Sequence, residues 1–309
     1  MTAVTVRAPA KVNLQLSVGP LRDDGYHDLV NVFHAVSLVD EVTAAPAERL
    51  EVTVEAAATA QVAIDGVPVG RDNLAARAAL MVAGRLGVEP QVALHIRKAI
   101  PVAGGMAGGS ADAAAALVAC ARLWDDREDP LLTREDLVEL AAALGSDVPF
   151  ALLGGTAVGV GRGERLTPAL ARGTFHWVFA TADGGLSTPA VYAECDRLRE
   201  TRGERAPRPQ VSQALMTALA TGDVKGLGAA LDNDLQAAAL ALRPSLGRTL
   251  AAGREYGALG ALVSGSGPTC AFLAGSETHA DELAAALDGA GVARSVVRAH
   301  GPVPGATVL

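Results

Sequence analysis

Lysine is nearly missing from this chain: Lys11, Lys98 and Lys225 are the only three in 309 residues, and arginine carries the remaining positive charge. No basic run occurs, aromatic residues make up 3% of the sequence and the formal net charge is −8. These absences exclude the basic patch interleaved with aromatics that nucleic-acid binders use. No apolar run approaches the ~20 residues that span a bilayer, which excludes a membrane helix. Met1 to Leu14 carry Arg7 and Lys11 in place of a continuous apolar stretch, so no secretory leader is expected and the expected location is cytoplasmic. Cys120, Cys195 and Cys270 are odd in number and show neither CxxC nor His-partnered spacing. A disulfide framework is thereby excluded, and the thiols are expected as reduced core residues. Two phosphate-binding signatures, GxxxxGKS/T and GxGxxG, are missing as well.

What is present describes a globular protein of ordinary composition. Half the residues are hydrophobic and 19% are charged, enough to form packed cores. At this length two domains are expected, with a boundary in the Thr181 to Thr188 region that divides the chain into 1–185 and 186–309. Strands and helices alternate in both halves, an α+β pattern, and no repeat of 20–50 residues occurs.

The opening segment alternates from Val4 through Val18 and reads as a half-buried strand with Lys11, Asn13 and Gln15 on one face. Asp24-Gly25 is a turn, which leaves Tyr26 and His27 just past it and the stretch from Val30 to Val39 as a return strand. A helix is predicted from Asn73 to a Gly87 cap, and a strand at Val92, Leu94 and Ile96. After it comes Pro101-Val102-Ala103-Gly104-Gly105-Met106-Ala107-Gly108-Gly109-Ser110-Ala111, and then an alanine-rich helix from Ala113 to Trp124. Thr133 to Asp136 reads as a capping box opening a helix that stops at Gly145, with Asp147 in the following loop. Residues Arg202 to Pro209 read as an exposed loop. Two strands flank Ser264-Gly265-Ser266-Gly267-Pro268, and a last strand is predicted over Val292 to Val297.

Four glycines between a strand and a helix leave backbone amides open at a helix N-terminus, where unpaired N–H groups and the dipole attract anions. A polyphosphate is the natural ligand. Transfer of a phosphoryl group to an alcohol also needs a proton acceptor and a cation facing the developing charge, and Asp147 and Lys11 are candidates for those roles. On this chemistry alone the acceptor stays open between homoserine, a mevalonate-pathway alcohol, a sugar and others. A dinucleotide-dependent oxidoreductase and a non-catalytic nucleotide binder are the readings from other classes.

Pro9-Ala10-Lys11-Val12-Asn13-Leu14, the loop Pro101 to Ala111 and Ser264 to Pro268, in that order, resemble the three motifs of the GHMP kinase superfamily. Asp24-Gly25-Tyr26-His27, Asp72-Asn73-Leu74 and Gly145-Ser146-Asp147-Val148-Pro149 resemble the branch that phosphorylates a cytidine-diphosphate methylerythritol with ATP on the non-mevalonate route to isoprenoid precursors. The resemblance spans nearly the whole chain. It implies a two-domain GHMP kinase fold, with a left-handed βαβ unit in the N-terminal α/β domain and a ferredoxin-like C-terminal domain. It implies Asp147 as base toward the 2-hydroxyl, Lys11 as its charged partner, and Asn13 at the methylerythritol end. Tyr26 and Tyr192 are implied as aromatic walls around cytosine, with His27 reading the base edge. ATP and Mg2+ are the implied cofactors, with Ser110 as the one loop hydroxyl able to reach the metal. No nucleic acid or membrane is implied as partner, and the oligomeric state is left open. The chain departs from the superfamily pattern at Met106, Ala107 and Ala111, and a positive φ at Ala107 would be strained.

Overall fold

In the computed structural model, residues 2–58, 62–102, 104–125, 127 and 130–309 are described. The alternating start forms β1 (Val4–Leu21), and the Asp24-Gly25 turn, with Gly25 at φ 80°, folds it back antiparallel onto β2 (His27–Pro46). β3 (Glu51–Ala56), α1 (Leu74–Leu86) and β4 (Val92–Lys98) make a crossover in which β3 and β4 pair in parallel. Asn73 caps α1 through the Ala75 N–H, and Gly87 closes it in the left-handed conformation.

α2 (Gly108–Trp124) begins five residues before the predicted Ala113, so Gly108 and Gly109 are its first turn rather than loop. Ala111, Ala113 to Ala116 and Ala119 are fully buried, and side chains this small let α2 lie close against the sheet. α3 (Arg134–Leu144) carries the expected capping box, and α4 (Val148–Leu153) follows with Pro149 in its first turn. β5 (Thr156–Gly161) pairs with β2 and with β6 (Arg165–Pro168).

β7 (Phe175–Thr181) opens the second sheet. After it come α5 (Thr188–Arg202), α6 (Gln213–Thr221), α7 (Val224–Ala230), β8 (Asp232–Asn233), α8 (Gln236–Leu242) and α9 (Ser245–Glu255). β9 (Gly260–Val263), β10 (Cys270–Ala274), α10 (Glu277–Gly289), β11 (Ser295–Gly301) and β12 (Thr307–Val308) complete the chain. The second sheet is antiparallel in the order β11-β7-β10-β9. With helices after β7 and after β10, this is the split βαβ arrangement of a ferredoxin-like sandwich. β8 and β12 return to the first sheet and pair with β1.

Two boundaries differ from the sequence reading. The division at 185/186 would leave β7 with the first unit, whereas its ladders to β10 and β11 place it in the second sheet. The Gly-rich turn after Thr181 looks like a linker but is the exit from an inner strand. The last long strand is Ser295–Gly301 rather than Val292 to Val297, because its register is fixed by pairing with β7. Among the described residues no helix is long and apolar enough to cross a membrane.

Candidate active site

Period-two alternation sends Lys11, Asn13 and Gln15 inward together, and all three are buried, at 5%, 1% and 4% exposure. Buried polar groups need partners, and these have them. The Lys11 ammonium donates to Asn13 Oδ1 at 2.7 Å and to the Gly105 carbonyl at 3.0 Å, and Asn13 Nδ2 donates to Asn31 Oδ1 at 2.8 Å. Asp147, at the N-terminal end of α4 and making no capping bond there, has Oδ2 3.6 Å from Lys11 Nζ. Gln15 has another job: it donates to the Gln210 carbonyl and accepts from the Ser212 N–H, pinning the segment ahead of α6.

The glycine-rich loop is held by the other two motifs. The Lys11 backbone N–H donates to the Met106 carbonyl at 3.2 Å, and Ser264 Oγ donates to the Gly105 carbonyl at 3.2 Å. Gly105, at φ 74°, sits so close to the second glycine loop that a Cβ would stand 2.3 Å from the Ser264 carbonyl oxygen. That second loop is fixed in turn by Asn233, whose amide donates to the Val263 and Gly265 carbonyls. Ala107 stands at the N-cap of α2 with φ 61° and ψ 33°, and among the described residues it is the only non-glycine with positive φ. No side chain caps that helix, which leaves its first N–H groups for an anion.

Beside the loop lies a charge cluster that sequence reasoning missed. Lys98, at the end of β4, bridges Asp40 of β2 and Asp112 in the first turns of α2, at 2.6 Å from Asp112 Oδ2. Asp40 also accepts from the Ala99 and Ile100 N–H groups. The cluster therefore ties the entrance of the loop to its exit. Burial pushes the Asp112 carboxyl up to about 8 against the pull of Lys98, and its Oδ1 is buried with no hydrogen-bond partner. For Lys98 burial disfavours the charge, but Asp112 and Asp40 together hold its pKa above the ordinary value. The only signal in the sequence was the rarity of lysine.

The far end of the site is aromatic. The His27 and Tyr192 rings lie 5.1 Å apart, tilted by 31°, while Tyr26 is half exposed with the Arg162 guanidinium 5.1 Å from its ring centroid. Burial, and to a smaller degree the charge of Asp147, raises the Tyr192 phenol above its ordinary value.

One cavity of about 900 Å³ joins these parts. Lys11, Asn13, Tyr26, His27, Asp147 and Tyr192 all line it, as do Pro101, Val102, Gly104, Gly105, Ala107, Gly108, Gly109 and Ser110. Met106 and Ala111 are fully buried and support the loop from beneath, and Ala103 lies outside the described residues. Asn31, Lys98, Asp112, Arg162 and Asp196 also line it. The cavity thus offers an anion cradle, a carboxylate–ammonium pair and an aromatic end in series.

Residues 73–155 match the family description GHMP kinases N terminal domain, and residues 215–293 match GHMP kinases C terminal. A protein of Thermobifida fusca named 4-diphosphocytidyl-2-C-methyl-D-erythritol kinase is 61% identical over 316 residues, covering 100% of this chain and 99% of that protein. A protein of the same name from Streptomyces avermitilis is 60% identical over 307 residues, covering 99% of this chain and 100% of that protein. The crystal structure of a 4-(cytidine 5'-diphospho)-2C-methyl-D-erythritol kinase is 33% identical with a TM-score of 0.75, covering 96% of this chain and 98% of that one.

Proposed function

The chain belongs to the GHMP kinases, and from that membership and its cavity we propose that it transfers the γ-phosphate of ATP to the 2-hydroxyl of 4-diphosphocytidyl-2-C-methyl-D-erythritol, giving the 2-phosphate and ADP. The observation that carries this reading is the Lys11–Asp147 pair, 3.6 Å apart, between an uncapped glycine-rich helix N-terminus and the His27–Tyr192 end of the same cavity.

In this reaction Asp147 takes the hydroxyl proton while the hydroxyl oxygen forms its bond to the γ-phosphorus. The bond from that phosphorus to the β,γ-bridging oxygen breaks, and its electron pair leaves with ADP. Lys11, fixed by Asn13 and the Gly105 carbonyl, faces the charge that builds on the transferred group without having to reorganise. The first N–H groups of α2 hold the phosphates, and the aromatic end holds the cytosine.

Among the described residues no three His, Cys, Asp or Glu side chains are grouped to hold a metal. Mg2+ would be held together with the nucleotide's phosphates at the start of α2, where Ser110 lines the cavity. Ser110 Oγ in the first turn of α2 is the residue that would hold it, and the ion would neutralise phosphate charge. A cytoplasmic location belongs to the same reading.

The test is ADP release with Mg-ATP and, separately, 4-diphosphocytidyl-2-C-methyl-D-erythritol, homoserine, phosphomevalonate and galactose. Turnover with the cytidine compound is expected. Turnover confined to homoserine, phosphomevalonate or galactose would refute the reading.

A further inference from the structure

The aromatic end of the cavity contains a pair that the transfer chemistry does not use. Tyr192 and Asp196 are four residues apart on α5 and so project from one helix face. Tyr192 meets the face of the His27 ring, and Asp196 meets its edge, with both carboxylate oxygens 3.0–3.1 Å from Nε2. His27 is 7% exposed and Asp196 is 40% exposed in its side chain. The imidazole is therefore clamped on two sides by one helix, while the carboxylate that clamps it keeps contact with solvent.

A carboxylate only accepts hydrogen bonds, so in the neutral ring Nε2 carries the hydrogen and Nδ1 carries the lone pair. Among the described residues Nδ1 has no hydrogen-bond partner, and His27 lines the cavity. Cytosine offers an exocyclic amine donor where uracil offers a carbonyl acceptor. A ring nitrogen locked as an acceptor pairs with the first and repels the second. We propose that Asp196 is a positioning residue that sets the His27 tautomer, and through it makes the site select a cytosine-bearing substrate over the uracil analogue. The inference rests on the cytidine reading of the cavity given above and goes beyond it by naming the residue that discriminates.

The experiment compares kcat and KM for the cytidine substrate and its uridine counterpart in wild-type enzyme, Asp196→Ala and Asp196→Asn. Losing the clamp lets either tautomer form, so in Asp196→Ala the cytidine-to-uridine ratio of kcat/KM is expected to fall at least tenfold. The change should sit in a raised KM for the cytidine substrate, with its kcat within twofold and KM for ATP unaltered. Asp196→Asn keeps an oxygen that accepts from Nε2 and should hold the ratio within about threefold of wild type. A ratio unchanged in Asp196→Ala, or equal losses on both substrates, would overturn the inference while leaving the cytidine reading intact. A wild-type enzyme that turns over neither nucleotide substrate would overturn both.

Discussion

The Lys11 ammonium stands 3.6 Å from the Asp147 carboxylate, and its other contacts are Asn13 Oδ1 and the Gly105 carbonyl. One side chain thus faces the proposed base and at the same time braces the glycine-rich loop. The two members of the pair should fail differently. Asp147→Asn is expected to lower kcat by about three orders of magnitude or more, as loss of a positioned proton acceptor and its charge does, with ATP affinity by calorimetry within about twofold. Lys11→Ala should lower kcat and also raise KM for ATP, because the Gly105 carbonyl loses its donor.

Ala107 and Gly105 make opposite predictions within one loop. An alanine in the left-handed region costs about 1–2 kcal/mol, and glycine there gives back roughly 0.5–1 kcal/mol of chain entropy. Ala107→Gly should therefore raise thermal stability by up to about 1 kcal/mol, or a few degrees, with kcat unchanged. Gly105→Ala would place a Cβ 2.3 Å from the Ser264 carbonyl oxygen; a large rise in KM for ATP, or loss of folded protein on expression, is the expected result.

The Asp40–Lys98–Asp112 cluster is buried, so removing its cation leaves the Asp40 charge and the Asp112 carboxyl without their shared partner. Lys98→Met should destabilise by about 3–5 kcal/mol in urea unfolding. Asp112→Asn should be far milder, because Asp40 keeps Lys98 and two backbone donors.

His34 is fully buried against Thr156, and burial lowers its pKa from 6.5 to about 3. The folded state keeps it neutral while the unfolded chain protonates it, so its contribution to stability is present above pH 6.5 and is lost as pH falls toward 3. Between pH 7.5 and 5.5 the loss is about 1.4 kcal/mol. Asp112 works in the other sense: its raised pKa gives stability that is present at acid pH and lost as pH rises through about 8. The His34 share is therefore read as the difference in pH slope between wild type and His34→Gln, which should lack it.

Much of this site could be read from the chain because its parts lie in continuous motifs. That Lys11 and Asn13 share one buried face follows from alternation in one strand, and the uncapped helix start from glycines between a strand and a helix. The capping box at Thr133 formed as read. What could not be read depends on register. Asp40 and Lys98 are 58 residues apart and meet because β2 and β4 pair with Glu41 opposite Arg97. β8 and β12 are two residues each and exist only as partners of β1. Asp196, on helix α5, gains its meaning from His27, which lies at the start of β2, 169 residues away.

The central claim is transfer of the ATP γ-phosphate to the 2-hydroxyl with Asp147 as base. Phosphorus-31 NMR of a reaction containing Mg-ATP and 4-diphosphocytidyl-2-C-methyl-D-erythritol tests it directly. A new phosphomonoester on C2, formed mole for mole with ADP by the wild-type enzyme and not by Asp147→Asn, is expected. ADP without that phosphoester, a phosphate on another hydroxyl, or undiminished product from Asp147→Asn would contradict it.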